Sequence, residues 1–361
     1  MKKTHLLFAL LFTIINYSQI PTGYYNSATG TGYSLKTQLK NIIYPHTTLV
    51  YGSGLWNLYP SSDVRPNGKV WDIYTTCDFT FGTVANGGQQ DDGTSGTAEC
   101  QRFNKVHTFP KSWFGAVSTS QMYSDAFHVM PADKKVNGVR GNLAYGLVGN
   151  ASFTSSNGTK IGNCIAPNYP YSLNVIEPSN ELKGDIARNY FYMATCYQDF
   201  IGSWQTIAPD GDTVLDGSND KVFEQWYLEL MYNWNVADPV SQKEIDRNNA
   251  IYAAQRNRNP YIDHPEWVYT VWATALNSAN FDFSTAVSVF PNPTSNHTIT
   301  IGTTAVIDDI QLITINGQLI QEIKKPVSVN ANYTLENLPE GFYFLKFSSN
   351  NNSITKKISV N

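Results

Sequence analysis

Between Phe103 and Gly146 the sequence gathers side chains that together could move a proton and hold a phosphate: FNKVHTFPKSWFG, then YSDAFHVMPADKKVNGVRGNLAYG. His107 has an imidazole that titrates near neutral pH, which makes it the natural general base. Asn137 offers a neutral amide oxygen suited to a hard divalent cation, Mg²⁺ or another such as Mn²⁺ or Ca²⁺. Lys111, Lys134, Lys135 and Arg140 concentrate positive charge around these two, and a guanidinium is the better phosphate fork. Those are the parts that hydrolysis of a phosphodiester requires. A base deprotonates water, a cation offsets charge developing on the phosphate and the leaving oxygen, and a cationic side chain positions the ester. No Walker-type glycine loop, zinc-spaced Cys/His cluster or nucleophilic serine elbow is present, so nucleotide-hydrolase, zinc and serine-hydrolase chemistry are poor readings.

The elements that must position these residues can be read locally. Pro131 followed by ADKKVN predicts a helix start with Asp133 near its N-terminal end. Asn137 and Arg140 then lie three apart on one face. A strand hairpin carrying His107, packed on the helix carrying Asn137, would make a compact ββα unit around a metal. Asp125 is expected as a hydrogen-bonding partner within that unit and His128 as a brace for its hairpin. Trp113, Phe114 and Tyr145 could stack on bases, although packing is the commoner role for an aromatic. His264, in IDHPE, reads as structural, and His46 and His297 carry no signal.

Composition bounds the rest. Net charge of −4 and an isoelectric point near 5.9 argue against a passive nucleic-acid coat protein. They leave a nuclease open, since such an enzyme needs only local positive charge. Charged residues are only 15 % and aromatics 13 %, so the chain can bury a large core and disorder is unsupported. At the N-terminus two lysines precede an apolar run, Leu6 to Ile15, and a polar stretch ending near Gln19. This is the pattern of an export signal, too short for a transmembrane helix. The four cysteines allow three disulfide pairings. Cys77–Cys100 is favoured by proximity, while Cys164 and Cys196 form a second bond or stay as thiols.

Composition shifts near residue 285. Upstream, DIARNYFYMA from Asp185 and DRNNAIYAA from Asp246 show helical periodicity. Downstream, TITIG, IQLITI and FYFLKF alternate as strands, and Asn316-Gly317 suits a type I′ hairpin turn. The expectation is α+β: residues 1–19 a signal peptide, 20–285 one α+β domain with long loops, and 286–361 a small all-β sandwich.

At the ββα residues the chain resembles the bacterial endonuclease I family, whose Asn-Arg-Glu-His-x-x-Pro, Asp-x-His-His-x-x-Pro and Val-Asn-x-x-Arg-x-Asn segments match Asn104, His107, Pro110, Asp125, His128, Pro131, Val136, Asn137, Arg140 and Asn142. The likeness extends over residues 21–275, through PTGYYNSATG, NGKVWDIY, EPSNELKGDIARNYFYMAT and NRNPYIDHPEWV. It implies a mixed α/β structure built around the ββα unit for 20–285, and metal-dependent cleavage of DNA, in some members RNA, with little sequence preference. His107 would activate water and Asn137 hold the metal, while Arg140, counted with the catalytic residues, and Asn142, counted with the substrate-binding ones, would support the phosphate or the ββα unit. Lys111 and Lys134 would meet substrate, with Asp125 and His128 supporting. The tail (VFPNPTSN, ITINGQLI, LPEGFYFLKF, TKKISV) resembles the C-terminal sorting domain of type IX secretion. This implies passage through the outer membrane by that machinery, then removal of the tail or surface attachment, and so a secreted or outer-surface protein. DNA or RNA is the expected partner, and no stable membrane span and a monomeric state are expected.

Several family positions differ. Val106 stands where the glutamate metal ligand is expected, Phe127 for the first histidine of the pair, Ala144 for a proline, Cys196 for an arginine and Asn235 for a histidine. Two readings follow. Either Asp125, Asp133 or a substrate phosphate completes the metal shell, or the chain is a catalytically impaired nucleic-acid-binding or surface protein of the same fold.

Overall fold

The computed structural model describes residues 20–93, 96–303, 307–326, 332–349 and 352–361. The expected signal segment, 1–19, lies outside these. No helix among the described residues is long and apolar enough to cross a membrane.

The N-terminal part begins with helices α1 (Gly32–Ile43) and α2 (Ser53–Ser62). Strand β1 (Phe103–His107) pairs antiparallel with β2 (Val129–Asp133), with His107 opposite Val129 and Phe103 opposite Asp133. Pro131 sits in β2 opposite Lys105; a two-stranded ribbon has only edges, so the missing N–H costs no interior ladder bond. Helix α3 (Lys134–Arg140) follows β2 without a break. Asp133 is its N-cap, accepting from the N–H groups of Lys135 (2.8 Å) and Val136 (3.0 Å), which satisfies two of the orphan donors of the first turn. The ββα unit anticipated from the sequence is thus present, with Asp133 as the cap that starts its helix.

A second ribbon, β3 (Val148–Thr154), β4 (Lys160–Cys164) and β5 (Asn174–Glu177), forms a three-stranded antiparallel sheet. The longer helices of the remainder are α4 (Lys183–Cys196), α5 (Gln225–Ala237), α6 (Gln242–Gln255) and α7 (Trp267–Ala286). α4 is buried from Gly184 to Cys196. A helix covered on every face belongs inside the core, and its polar members are paired there. Arg188 forks onto Glu244 at 2.6 and 2.8 Å. α6 opens with a Ser241/Glu244 capping box. The helical stretches read from Asp185 and Asp246 lie inside α4 and α6.

Among the described residues seven strands follow, β6 (Val287–Phe290), β7 (Ile299–Thr303), β8 (Asp309–Thr314), β9 (Leu319–Lys324), β10 (Asn332–Leu335), β11 (Gly341–Ser349) and β12 (Asn352–Val360). They form a three-stranded sheet in the order β10-β7-β6 and a four-stranded sheet in the order β12-β11-β8-β9. Their buried residues, Val287 to Val360, form an apolar cluster of their own, separate from the cluster running from Leu35 to Leu276. The β8–β9 turn departs from the expected type I′. Only Gly317, at φ 85°, is left-handed, Asn316 is not, and the Thr314 N–H reaches the Gln318 carbonyl at 2.9 Å. A type I′ turn needs two residues of positive φ; one such residue in a three-residue loop goes with the register shift beside it. Cys77 and Cys100 form a disulfide, whereas Cys164 and Cys196 are free thiols.

Candidate active site

A cleft of about 420 Å³ opens over the ββα unit, lined by Tyr51, Trp56, Asp91, Asn104, Lys105, His107, Pro110, Lys111, Asn137, Gly141 and Asn142. Four of the sequence-derived candidates, His107, Lys111, Asn137 and Asn142, therefore share one wall-to-wall space. β1 supplies Asn104, Lys105 and His107, and α3 supplies Asn137. The two elements are tied where it matters, since Asn137 Nδ2 donates to Asn104 Oδ1 at 2.9 Å.

His107 is 7 % exposed, and its Nε2 lies 2.9 Å from the Tyr123 carbonyl. A carbonyl only accepts, so Nε2 carries the hydrogen and the neutral ring keeps its lone pair on Nδ1. Tyr51 stacks on the ring, with centroids 5.5 Å apart and planes 18° from parallel. Burial, followed by the neighbouring His128, holds the imidazolium of His107 well below its usual range. The ring is therefore neutral at pH 7, the form a base must have.

Lys105 lies between two aromatic faces, its Nζ 3.8 Å from the Trp56 ring centre and 4.6 Å from that of Tyr51. Burial pushes its ammonium down to about 8. Lys111 Nζ donates to the Tyr123 hydroxyl at 3.3 Å. Lys134 is not on the cleft wall; its Nζ is 2.8 Å from Asp91 Oδ1, and Asp91 is.

Arg140 lies elsewhere than a phosphate contact requires. It is 1 % exposed, its Nη1 and Nη2 donate to the carbonyls of His107 (2.7 Å) and Thr108 (2.6 Å), and its guanidinium covers the Tyr145 ring at 4.7 Å. Of the two roles expected of it, on the phosphate or within the ββα unit, these bonds fit the second: its donors are committed to the backbone that carries His107.

Asp125 and His128 stand behind the cleft. His128 Nε2 bonds the Met122 carbonyl at 2.6 Å, and the His128 carbonyl accepts from the Thr108 N–H at 2.8 Å, closing the loop between β1 and β2. Asp125 accepts from the hydroxyls of Tyr192 and Tyr197 (both 2.7 Å), from Gln255 Nε2 and from the Phe127 N–H (both 3.0 Å). Burial opposes its charge, but His46, His128 and these bonds outweigh burial and hold the carboxyl below its usual range. His46 Nε2 is 3.6 Å from Asp125 Oδ2, and Cys196 is close enough that one donor atom from each of the three falls within 4.8 Å. With four hydrogen bonds on Asp125, this cluster is a closed polar network.

The departures from the family pattern are core positions here. Val106 is 1 % exposed and packs in the main apolar cluster. Phe127 is buried against Tyr192, centroids 4.5 Å apart. Asn235 accepts from Arg188 Nη1 at 3.1 Å. Trp113, Phe114 and Tyr145 are likewise buried, so they pack and do not stack on bases. Sequence reasoning passed over Tyr51, Trp56, Asp91 and Lys105. The first three come from outside the motif region, and no spacing points to them. Lys105 could have been found from its place two residues before His107 on a strand, where side chains share a face.

A cleft over a ββα unit that gathers a neutral imidazole, three amides and two lysines suits a hydrolase of phosphate esters. The comparisons with known proteins agree. The family model described as Endonuclease I matches residues 31–266, and that described as Secretion system C-terminal sorting domain matches residues 288–361. The chain is 33 % identical over 251 residues to the "Extracellular ribonuclease" of Bacillus subtilis (strain 168), covering 69 % of this chain and 78 % of that protein. It is 34 % identical over 251 residues, with the same coverage, to the "Extracellular ribonuclease" of Bacillus amyloliquefaciens. It is 27 % identical over 139 residues to the "Endonuclease-1" of Buchnera aphidicola subsp. Acyrthosiphon pisum (strain APS), covering 38 % of this chain and 44 % of that one. The chain belongs to the endonuclease I family. It is a nuclease, a phosphodiester hydrolase, and a secreted or cell-surface protein.

Proposed function

We propose that this chain is an extracellular, divalent-cation-dependent endonuclease that cuts both DNA and RNA with little sequence preference. The observation that carries the reading is the state of His107: Nε2–H held by the Tyr123 carbonyl, Nδ1 basic, in the same cleft as Asn137 and two lysines. Two relatives are named ribonucleases, which supports RNA as a substrate, and a third is named an endonuclease.

The donor set fits a hard cation. Asn137 donates through Nδ2 to Asn104, which leaves its amide oxygen for a metal, and no thiolate lines the cleft to select a softer ion. When bound at Asn137, Mg²⁺ or a similar ion (Mn²⁺, Ca²⁺) supplies charge neutralisation at the phosphate. His107 Nδ1 takes the proton of the attacking water, whose oxygen bonds to phosphorus. The bond from phosphorus to the leaving ester oxygen breaks, and that oxygen takes a proton from solvent. Lys111 and Asn142, which line the same cleft, contact the phosphate. Lys134 acts through Asp91, and Arg140 fixes the His107 backbone as a positioning residue. Val106 faces the core, so its lack of a donor atom does not empty the cleft.

In the same reading residues 20–285 are the nuclease unit and 286–361 the unit passed to the type IX secretion machinery, after an export signal at 1–19. The enzyme works as a monomer. Incubating the purified protein with supercoiled plasmid and with structured RNA, in Mg²⁺ and then in EDTA, tests this. Cutting of both in Mg²⁺ and of neither in EDTA is expected; undiminished cutting in EDTA contradicts cation dependence.

A further inference from the structure

We propose that Asp91 is the anionic ligand of the divalent cation held at Asn137, an inference that rests on reading the cleft as a cation-dependent nuclease site. Mg²⁺-class ions depend on carboxylate oxygen for affinity, and among the described residues Asp91 is the only carboxylate lining the cleft. The other two candidates are occupied. Asp133 commits Oδ1 to the N–H groups of Lys135 and Val136 and Oδ2 to that of Cys100 at 2.8 Å. Asp125 is fully buried under four donors.

Asp91 is also held in place. Its N–H donates to the Phe103 carbonyl at 2.9 Å, and the Phe103 N–H returns to Gln89 at 3.1 Å. This short parallel bridge lays Asp91 alongside the start of β1, next to Asn104 and thus to the Asn104–Asn137 pair. The Cys77–Cys100 disulfide closes the loop that carries it. Lys134 Nζ (2.8 Å) and the Gly93 N–H (2.9 Å) both reach Oδ1, so the second oxygen can turn to a cation beside Asn137. Lys134 is then a competitor. It neutralises Asp91 without the ion and must share or yield the carboxylate when the ion binds. A merely structural Asp91–Lys134 pair gives no such opposition, and that difference separates the two roles.

The test is Mn²⁺ binding to the intact chain, followed by electron paramagnetic resonance with Mg²⁺ as competitor, and it needs no turnover. The wild type should take up one Mn²⁺ that Mg²⁺ displaces. Asp91→Asn should weaken binding at least tenfold with an unchanged melting temperature, and Lys134→Met should tighten it several-fold. The Lys134 variant keeps the test informative should Asp91→Asn fold poorly. Asp91→Asn and Lys134→Met both binding Mn²⁺ as the wild type does, while Asn137→Ala loses it, overturns the assignment and leaves the nuclease reading intact. A wild type that binds no Mn²⁺ overturns both.

Discussion

Arg140, on the last turn of α3, donates to the carbonyls of His107 and Thr108 at 2.7 and 2.6 Å, so the helix that carries Asn137 is stapled to the end of the strand that carries the base. The charge is fully buried and its hydrogen-bond partners are neutral oxygens, with Tyr145 stacked beneath. Such a group stays charged and fixes geometry.

Removing that staple should therefore affect the catalytic step more than substrate binding. Arg140→Gln is expected to cost roughly 2–4 kcal/mol of stability, because buried carbonyls lose their donors. At a temperature where it remains folded, kcat should fall while KM stays near the wild-type value. A large rise in KM with kcat intact would instead place Arg140 on the phosphate.

Val106→Glu distinguishes a missing ligand from a core position. Val106 is buried among apolar neighbours, opposite Met130, and a carboxylate there is desolvated without a partner at a cost of several kcal/mol. Thermal unfolding should drop by ten degrees or more, on the order expected for a loss of that size in a domain this large, with no gain in cutting. Recovery of higher activity without loss of stability contradicts this placement.

The pH profile follows from the direction of the His107 shift. Its folded-state pKa lies below the unfolded value near 6.5. The base is therefore already deprotonated at neutral and mildly acidic pH, and kcat/KM should hold through pH 6.5 and fall only below it. The unfolded chain binds the extra proton in that window, so His107 also makes stability rise with pH up to about 6.5 and then level. Titration of the His107 ring by NMR checks the shift directly; a midpoint at or above 6.5 would refute it.

Reducing the Cys77–Cys100 disulfide frees a loop whose ends are 23 residues apart. Loop-closure entropy puts the loss at about 3 kcal/mol. Because Asp91 rides on this loop, a Cys77→Ser/Cys100→Ser variant should unfold at lower temperature and lose activity even where folded. Equal activity in the oxidised and reduced forms would detach the loop from the site.

How much of this was legible in the sequence depends on distance along the chain. The ββα unit could be read because its parts are local: Asp133 caps three residues before Val136, and Asn137 follows on the next turn. The cleft's far wall could not be. Tyr51 and Trp56 enter from the α1–α2 region and Asp91 from a glycine-rich loop, and no periodicity links them to His107. Arg140 shows a different limit. Its residue type suits phosphate and carbonyl equally, and only burial decides between them. At Asn316-Gly317 the dipeptide marked a turn correctly, but one extra loop residue changed its type, which pair statistics do not encode.

The most direct test of the central claim is the single-turnover rate of cleavage of a labelled oligonucleotide by His107→Ala beside the wild type in Mg²⁺. Removing a general base should slow the chemical step by about 10²–10⁴-fold, with substrate affinity and fold retained and partial rescue by added imidazole. A His107→Ala protein that cuts at the wild-type rate would contradict the account.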